Sequence, residues 1–335
     1  KNLINLRTKI NIFDDLEKYS FEIHEIEKKF TLFNVDIINK VLKDKNLNID
    51  LVGFHGQTIF HNPKKKISLQ LGNGKLLSQM IRNIVINNFR TNDLKNNGQG
   101  APLTPIFHQL ISNLIFKKYK IQFPINIINI GGITNITQII KNDVSKSDNL
   151  NAFDIGPGNC LIDEWIRKNS NKKFDKNGEI AKSGKVNELI FNQAIDNFYK
   201  SSYKESLDVK DYDISFAKGL SLEDGSATLT KFSAYLIAKG IEYINHSNNF
   251  FSKKNLICGG GRKNSILVKN INEFLIDKKL HLENIDDYGM KGDFIESQSF
   301  AYLAIRSYLN LPISFPSTTG CIESSTGGTL NKNFQ

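Results

Sequence analysis

Residues 151–165 read NAFDIGPGNCLIDEW and place one carboxylate, Asp154, after an apolar approach and directly ahead of Ile155-Gly156-Pro157-Gly158-Asn159. Gly156 and Gly158 permit close backbone geometry beside a ligand, and Pro157 stiffens the loop. A carboxylate at such a strand end can take a proton from a hydroxyl or water within hydrogen-bond reach. Asp154 is therefore the candidate catalytic base, with Asn159 the better placed cap for the helix that follows.

Three other segments carry chemistry. VGFHGQTIFHNP at 52–63 sets His55, Gln57 and Thr58 at a strand end, where open α/β sheets bind ligands; a lone histidine there is as readily a structural one. INNFRTNDLKNNGQGAPLTPIFH at 86–108 runs a small-residue loop, Gly98-Gln99-Gly100-Ala101-Pro102, into a helix start that tolerates proline. Arg90, Asp93 and Gln99 can approach a polar ligand from it, although Arg90 and Asp93 would also serve as a structural ion pair. Glu296 opens a helix in which Phe300, Leu303, Ala304 and Tyr308 recur at helical spacing and should pack inward. An acid there is also favoured simply by the helix dipole.

Two glycine turns, Gly131-Gly132 and Gly259-Gly260-Gly261, follow apolar strands in the same way, and glycine amides can cradle phosphate. Neither is a GxxxxGK[ST] loop and no GxGxxG opens a βαβ unit, which disfavours P-loop and dinucleotide-binding folds.

The elements that must position these residues alternate. Apolar, β-branched runs at 50–54, 125–130 and 255–258 predict buried strands. Helical periods occupy roughly 29–45, 103–117, 159–169, 187–199, 226–246, 263–275 and 296–309. The class is α/β with a partly parallel sheet. At 335 residues the chain should form two lobes. The polar stretch 141–149 marks the best boundary, giving an N-terminal lobe of 1–145 and a C-terminal lobe of 146–335 that holds Asp154 and the second glycine turn.

Composition excludes other classes. Hydrophobic residues make up 40% and charged residues 23%, which suits a globular chain and not a fibre or a disordered one. No run approaches the roughly 18 apolar residues of a membrane span, and the first residues lack a secretory signal; a cytoplasmic location is expected. Three cysteines at wide spacing make no disulfide framework. The net charge of +10 is spread along the chain without a basic, aromatic-interleaved stripe, so neither nucleic acid nor membrane is expected as a partner.

Taken in order, GFHGQTIFH, NNFRTNDLKNNGQGAPLTPIFH, NIGGITNIT, AFDIGPGNCLIDEW, ESLDVKDYD, LICGGGRKN, FIESQSFAYLA and LPISFPSTTG closely resemble the anhydro-N-acetylmuramic acid kinase family, from about residue 50 to the carboxyl end. The resemblance implies a two-lobed, actin-like sugar-kinase fold of ribonuclease H-like type with a cleft between the lobes, use of ATP and Mg2+, and a possible homodimer. It also implies the reaction: water opens the 1,6-anhydro bridge while O6 receives the γ-phosphoryl group, giving N-acetylmuramic acid 6-phosphate in cell-wall recycling. On this basis Asp154 is the general base. His55, Gln57, Arg90, Gln99, Gly100 and Glu296 form the sugar site, and Gly131, Gly132, Asn135, Gly156, Gly259, Gly260 and Gly261 the ATP site. The metal's protein ligands are not implied. The pattern departs from the family in two places: Thr91 and Asn92 stand where relatives continue with arginine after Arg90, and nothing in 1–50 matches the first phosphate-binding turn, Gly-Thr-Ser-x-Asp-Gly. Two rival readings remain: a kinase of the same superfamily with another acceptor, and an inactive or regulatory sugar-binding relative.

Overall fold

The computed structural model describes residues 2–143, 149–198, 203, 205–247 and 250–334. In chain order the principal elements are α1 (Asn2–Lys9), α2 (Asp14–Lys18), α3 (Ser20–Lys45), β1 (Leu51–Gly53), β2 (Gln57–Asn62), β3 (Ile67–Leu71), α4 (Gly74–Ile81), β4 (Ile84–Asn87), α5 (Thr91–Lys95) and α6 (Pro105–Tyr119). Then come β5 (Ile125–Ile130), β6 (Ile133–Ile139), β7 (Leu150–Pro157), α7 (Cys160–Asn169), α8 (Glu179–Ser183), α9 (Glu188–Asn197), α10 (Leu222–Ser247), β8 (Lys254–Cys258), α11 (Ser265–Leu275), β9 (Leu282–Asn284), α12 (Ile295–Tyr308), α13 (Pro316–Thr319) and β10 (Thr329–Asn331). They form two compact units, Lys1–Leu103 with Ser297–Gln335, and Thr104–Glu296.

In the second unit, one sheet runs in the order β7-β6-β5-β8-β9. β6 is antiparallel to both neighbours, whereas β5, β8 and β9 run parallel. This order, with only the second strand reversed, is the ribonuclease H-like arrangement that the resemblance implies. β5 is almost continuously buried, as a strand covered on both faces must be. On one face lies α10, whose Ile237, Ala238, Ile241 and Ile244 share a core with Ile128, Ile130, Ile136 and Ile155. Gly240 lets α10 come close, since a Cβ there would lie 2.6 Å from Ile155 Cγ2. Phe153 packs against the same core, and side chains alternate along a strand, so Asp154, the next residue of β7, turns to the other face. On that face His108 of α6 meets Thr137 of β6, Nδ1 to Oγ1 at 2.8 Å.

In the first unit β1 pairs parallel with β4, and β10 adds antiparallel to β4. A β2–β3 hairpin packs Ile59, Phe60 and Leu71 against Leu6 of α1, Ile10 just after it and Ile26 of α3. α12 crosses β1 closely, because a Cβ on Gly53 would lie 2.5 Å from the Phe300 carbonyl oxygen.

The predicted strands and helical periods appear as β1, β5, β8, α3, α6, α7, α9, α10, α11 and α12, within a few residues except for α3, which begins at Ser20 and not near 29. Three details differ. β7 continues to Pro157, so Asp154 lies inside a strand and not at its end. Asn159 holds the N-cap position of α7 without a side-chain cap bond; its Nδ2 donates instead to Gly131 O at 3.1 Å. Phe300, Leu303 and Ala304 are buried, but Tyr308, one turn further on, is 51% exposed. The boundary expected at 145 falls in 144–148, outside the described residues; on either side of it β6 and β7 pair in one sheet. Among the described residues no helix is long and apolar enough to cross a membrane.

Candidate active site

Two clusters gather the expected residues, one in each unit. In the first unit β1 ends at Gly53 and the chain turns through His55 into β2. The His55 ring packs on Phe300 with centroids 4.2 Å apart. Its Nε2 faces Arg90 Nε at 3.1 Å and Nη2 at 2.9 Å. A guanidinium can only donate, so Nε2 accepts and the proton sits on Nδ1, which donates to Gly56 O at 3.0 Å. Burial, reinforced by the Arg90 charge, lowers the His55 pKa to about 3 and keeps the ring neutral. Both ring nitrogens are thus engaged within the protein. Arg90 reaches on through Nη1 to Gly100 O at 2.7 Å, which ties the 98–100 loop to the β1–β2 connection. Gly100 has φ +70, a left-handed conformation that suits glycine. Gln99 is half-buried, and its backbone N–H donates to Thr319 O at 2.9 Å. Gln57 begins β2 opposite Leu71 and is half-buried.

In the second unit Asp154 pairs across β6–β7 with Asn135. Cross-strand partners project from the same face, so the carboxylate and the amide are neighbours. Asp154 is 6% exposed, and its Oδ2 accepts the Leu207 N–H at 2.9 Å. The buried Asn135 Oδ1 has no hydrogen-bond partner among the described residues, an acceptor whose satisfaction calls for a ligand or water. Ahead of this pair the Gly131-Gly132 turn locks onto the Gly158-Asn159 turn that follows β7. Gly158 N donates to Gly132 O at 2.9 Å and Asn159 N to Gly131 O at 2.8 Å. A Cβ on Gly158 would sit 2.4 Å from Gly131 O, so only glycine fits this interlock. With both carbonyls of the 131–132 turn consumed, the backbone polarity left to it is N–H, the donor a phosphate oxygen accepts.

The 259–261 turn separates its three glycines by role. Gly259, at φ +78, would bring a Cβ to 2.4 Å from Asn129 Oδ1, and Gly261 to 2.1 Å from Ile130 Cγ2. Gly260 would meet nothing within 4 Å and lines a cavity of about 390 Å3 with Asn159, Asp163, Phe174, Asp175, Lys263 and Asn264. Burial raises the Asp163 pKa to about 6. Arg262 braces the turn, its Nη1 donating to Gly259 O at 2.8 Å while Nε and Nη1 pair with Asp286 and Asp293.

Two expected residues sit apart from these groupings. Gly156 lies inside β7, paired with Thr134 and backed by Leu236 and Tyr212 at ordinary contact distance. It is an element of the sheet and does not line the cavity. Glu296 is exposed in the first turn of α12 and is the last residue of its unit.

Comparison with known proteins decides the family. The model of the family described as "Anhydro-N-acetylmuramic acid kinase" matches residues 5–333. The chain belongs to the anhydro-N-acetylmuramic acid kinase family. A protein so named from Pelagibacter ubique is 51% identical over 99% of this chain and 87% of its own length. Proteins of the same name from Zymomonas mobilis and Brucella canis are 35% and 34% identical, over 92% and 91% of this chain and 81% and 80% of theirs.

For a kinase of this family, two groups at the site carry no signature in the sequence. The Leu207 amide acts through backbone and has no residue signature, though it lies in the ESLDVKDYD motif. Asp163 was visible only as a polar residue in a helix, and nothing in its spacing announces a cavity.

Proposed function

We propose that this chain uses ATP to convert 1,6-anhydro-N-acetylmuramic acid into N-acetylmuramic acid 6-phosphate. The observation that carries the reading is the Asp154 carboxylate, buried, held by the Leu207 N–H and set beside the unsatisfied Asn135 Oδ1 at the interlocked glycine turns. In this reading Asp154 takes a proton from water as the water oxygen bonds to C1. The C1–O6 bond breaks and its electron pair stays on O6. O6 bonds to the γ-phosphorus, the bond from that phosphorus to the bridging oxygen breaks, and ADP leaves. Arg90, Gln57, Gln99, Gly100 and Glu296 recognise the sugar, with His55 acting through Arg90, whose guanidinium it orients. The amides of Gly131 and Gly132 face the phosphates, and the Gly260 cavity takes the adenosine.

Among the described residues no three His, Cys, Asp or Glu side chains gather as a cation cage. Mg2+ bound chiefly through the triphosphate and water fits such a chain, and when bound it neutralises the charge of the transferring phosphoryl group.

The test is Asp154→Asn, which keeps the shape and the Leu207 bond but removes the base. Turnover should fall at least about a hundredfold while sugar and nucleotide still bind, as read by calorimetry. Turnover near the wild-type rate removes Asp154 from this role.

A further inference from the structure

Asp93 is 1% exposed and lies beneath the loop that the sugar reading needs. It belongs to α5, three residues after Arg90. Its Oδ2 accepts the Gly100 N–H at 2.6 Å and its Oδ1 accepts the Thr319 hydroxyl at 2.6 Å. Its own carbonyl accepts the Gly98 N–H at 2.8 Å, and the Thr319 carbonyl accepts the Gln99 N–H at 2.9 Å. Each of Gly98, Gln99 and Gly100 is thereby fixed by Asp93 or by the residue that Asp93 holds. The contact is close enough to dictate sequence, since a Cβ on Gly98 would lie 2.2 Å from Asp93 Oδ2. Gly100 is gripped from both sides, its N–H by Asp93 and its carbonyl by Arg90. Two short hydrogen bonds to one carboxylate hold both donors in fixed directions, and burial strengthens such bonds.

We propose that Asp93 and Thr319 are positioning residues for the acceptor sugar: they set the conformation of the 98–100 loop, and so the direction in which Gln99 and Gly100 meet the sugar, without touching it. The inference rests on the sugar reading given above. It also gives a function to the PSTTG segment near the carboxyl end, whose Thr319 supplies both a hydroxyl and a carbonyl to the loop. A loop freed from this clamp keeps its residues but loses the single geometry that ligand recognition requires.

The experiment uses the full chain with 1,6-anhydro-N-acetylmuramic acid and a non-hydrolysable ATP analogue as calorimetric probes, together with steady-state KM values. Thr319→Val keeps the volume and removes the donor, Thr319→Ser restores the donor, and Asp93→Asn replaces one of the two accepting oxygens with a donor. Thr319→Val and Asp93→Asn should each weaken sugar binding about tenfold, the scale of one hydrogen bond. Nucleotide affinity should stay within twofold, and Thr319→Ser should return sugar affinity to near the wild-type value. If Tm falls while sugar affinity does not change, or if Thr319→Ser binds no better than Thr319→Val, the clamp is merely structural and the inference fails. A wild-type chain that binds the nucleotide but no sugar brings down the functional reading itself, which distinguishes the two failures.

Discussion

Substituting alanine in turn at Gly260 and Gly261 separates packing from ligand binding one residue apart. At Gly261 the added Cβ would lie 2.1 Å from Ile130 Cγ2, and Ile130 is fully buried in the sheet core. No side chain there can swing clear, so the turn must move, and overpacking of this kind costs about 1–3 kcal/mol. For a unit of this size that lowers Tm by roughly 2–4 °C for each kcal/mol. At Gly260 the Cβ would meet nothing within 4 Å, and the backbone there is right-handed helical. Alanine should then leave stability unchanged or raise it by up to about 1 kcal/mol, because the unfolded chain loses freedom. The same methyl group projects at a cavity of about 390 Å3, where it occupies space that a nucleotide needs. Differential scanning fluorimetry without ligand, followed by an ATP titration, reads both effects, since a ligand that binds only the folded state stabilises it by RT ln(1 + [L]/Kd) and so raises Tm. Gly261→Ala should melt early. Gly260→Ala should melt like wild type yet need at least about tenfold more ATP for the same shift. A Gly260→Ala protein that ATP stabilises as it does the wild type refutes the placement of nucleotide in this cavity.

Two further outcomes concern pH. Burial raises the Asp163 pKa to about 6 from 3.8, so the folded state holds its proton more tightly than the unfolded chain and stability declines as pH rises through that window. Asp163→Asn should therefore raise Tm at pH 7.5, with the gain shrinking toward pH 4; a pH-independent difference contradicts this. His55 and His108 are shifted the other way, each lowered from 6.5 to about 3 by burial. The unfolded chain then binds protons that the folded one refuses, and stability is lost as pH falls below about 6.5. His108→Gln should flatten the acid limb of the Tm profile without altering sugar KM, and an unaltered limb would show that His108 is charged or already satisfied in acid.

What the sequence revealed was local, and what it concealed was lateral. β5 and β8 announce themselves because strands covered on both faces are apolar throughout, and α10 because it keeps one helical period over 26 residues. β6, in contrast, reads ITNITQI, with threonine and glutamine at buried positions and a half-buried asparagine, so no run marked it as a strand. Asp154 was recognisable from its glycine-rich company, but its place opposite Asn135 depends on register, which no single strand encodes. His55 was expected to meet the sugar. Its two nitrogens are instead taken by Gly56 and Arg90, contacts between residues up to 35 positions apart. The distance is greater still for Asp93 and Thr319, which are 226 positions apart, so their pairing emerges only when the chain is folded.

The most direct measurement is a single incubation of the chain with ATP, Mg2+ and 1,6-anhydro-N-acetylmuramic acid in H218O, with products read early by mass spectrometry and NMR. The account predicts ADP and N-acetylmuramic acid 6-phosphate in equal amounts, with 18O at C1 and unlabelled oxygen between C6 and phosphorus. Label in the C6–phosphate bridge, or ADP released at the same rate whether or not the sugar is present, would contradict it.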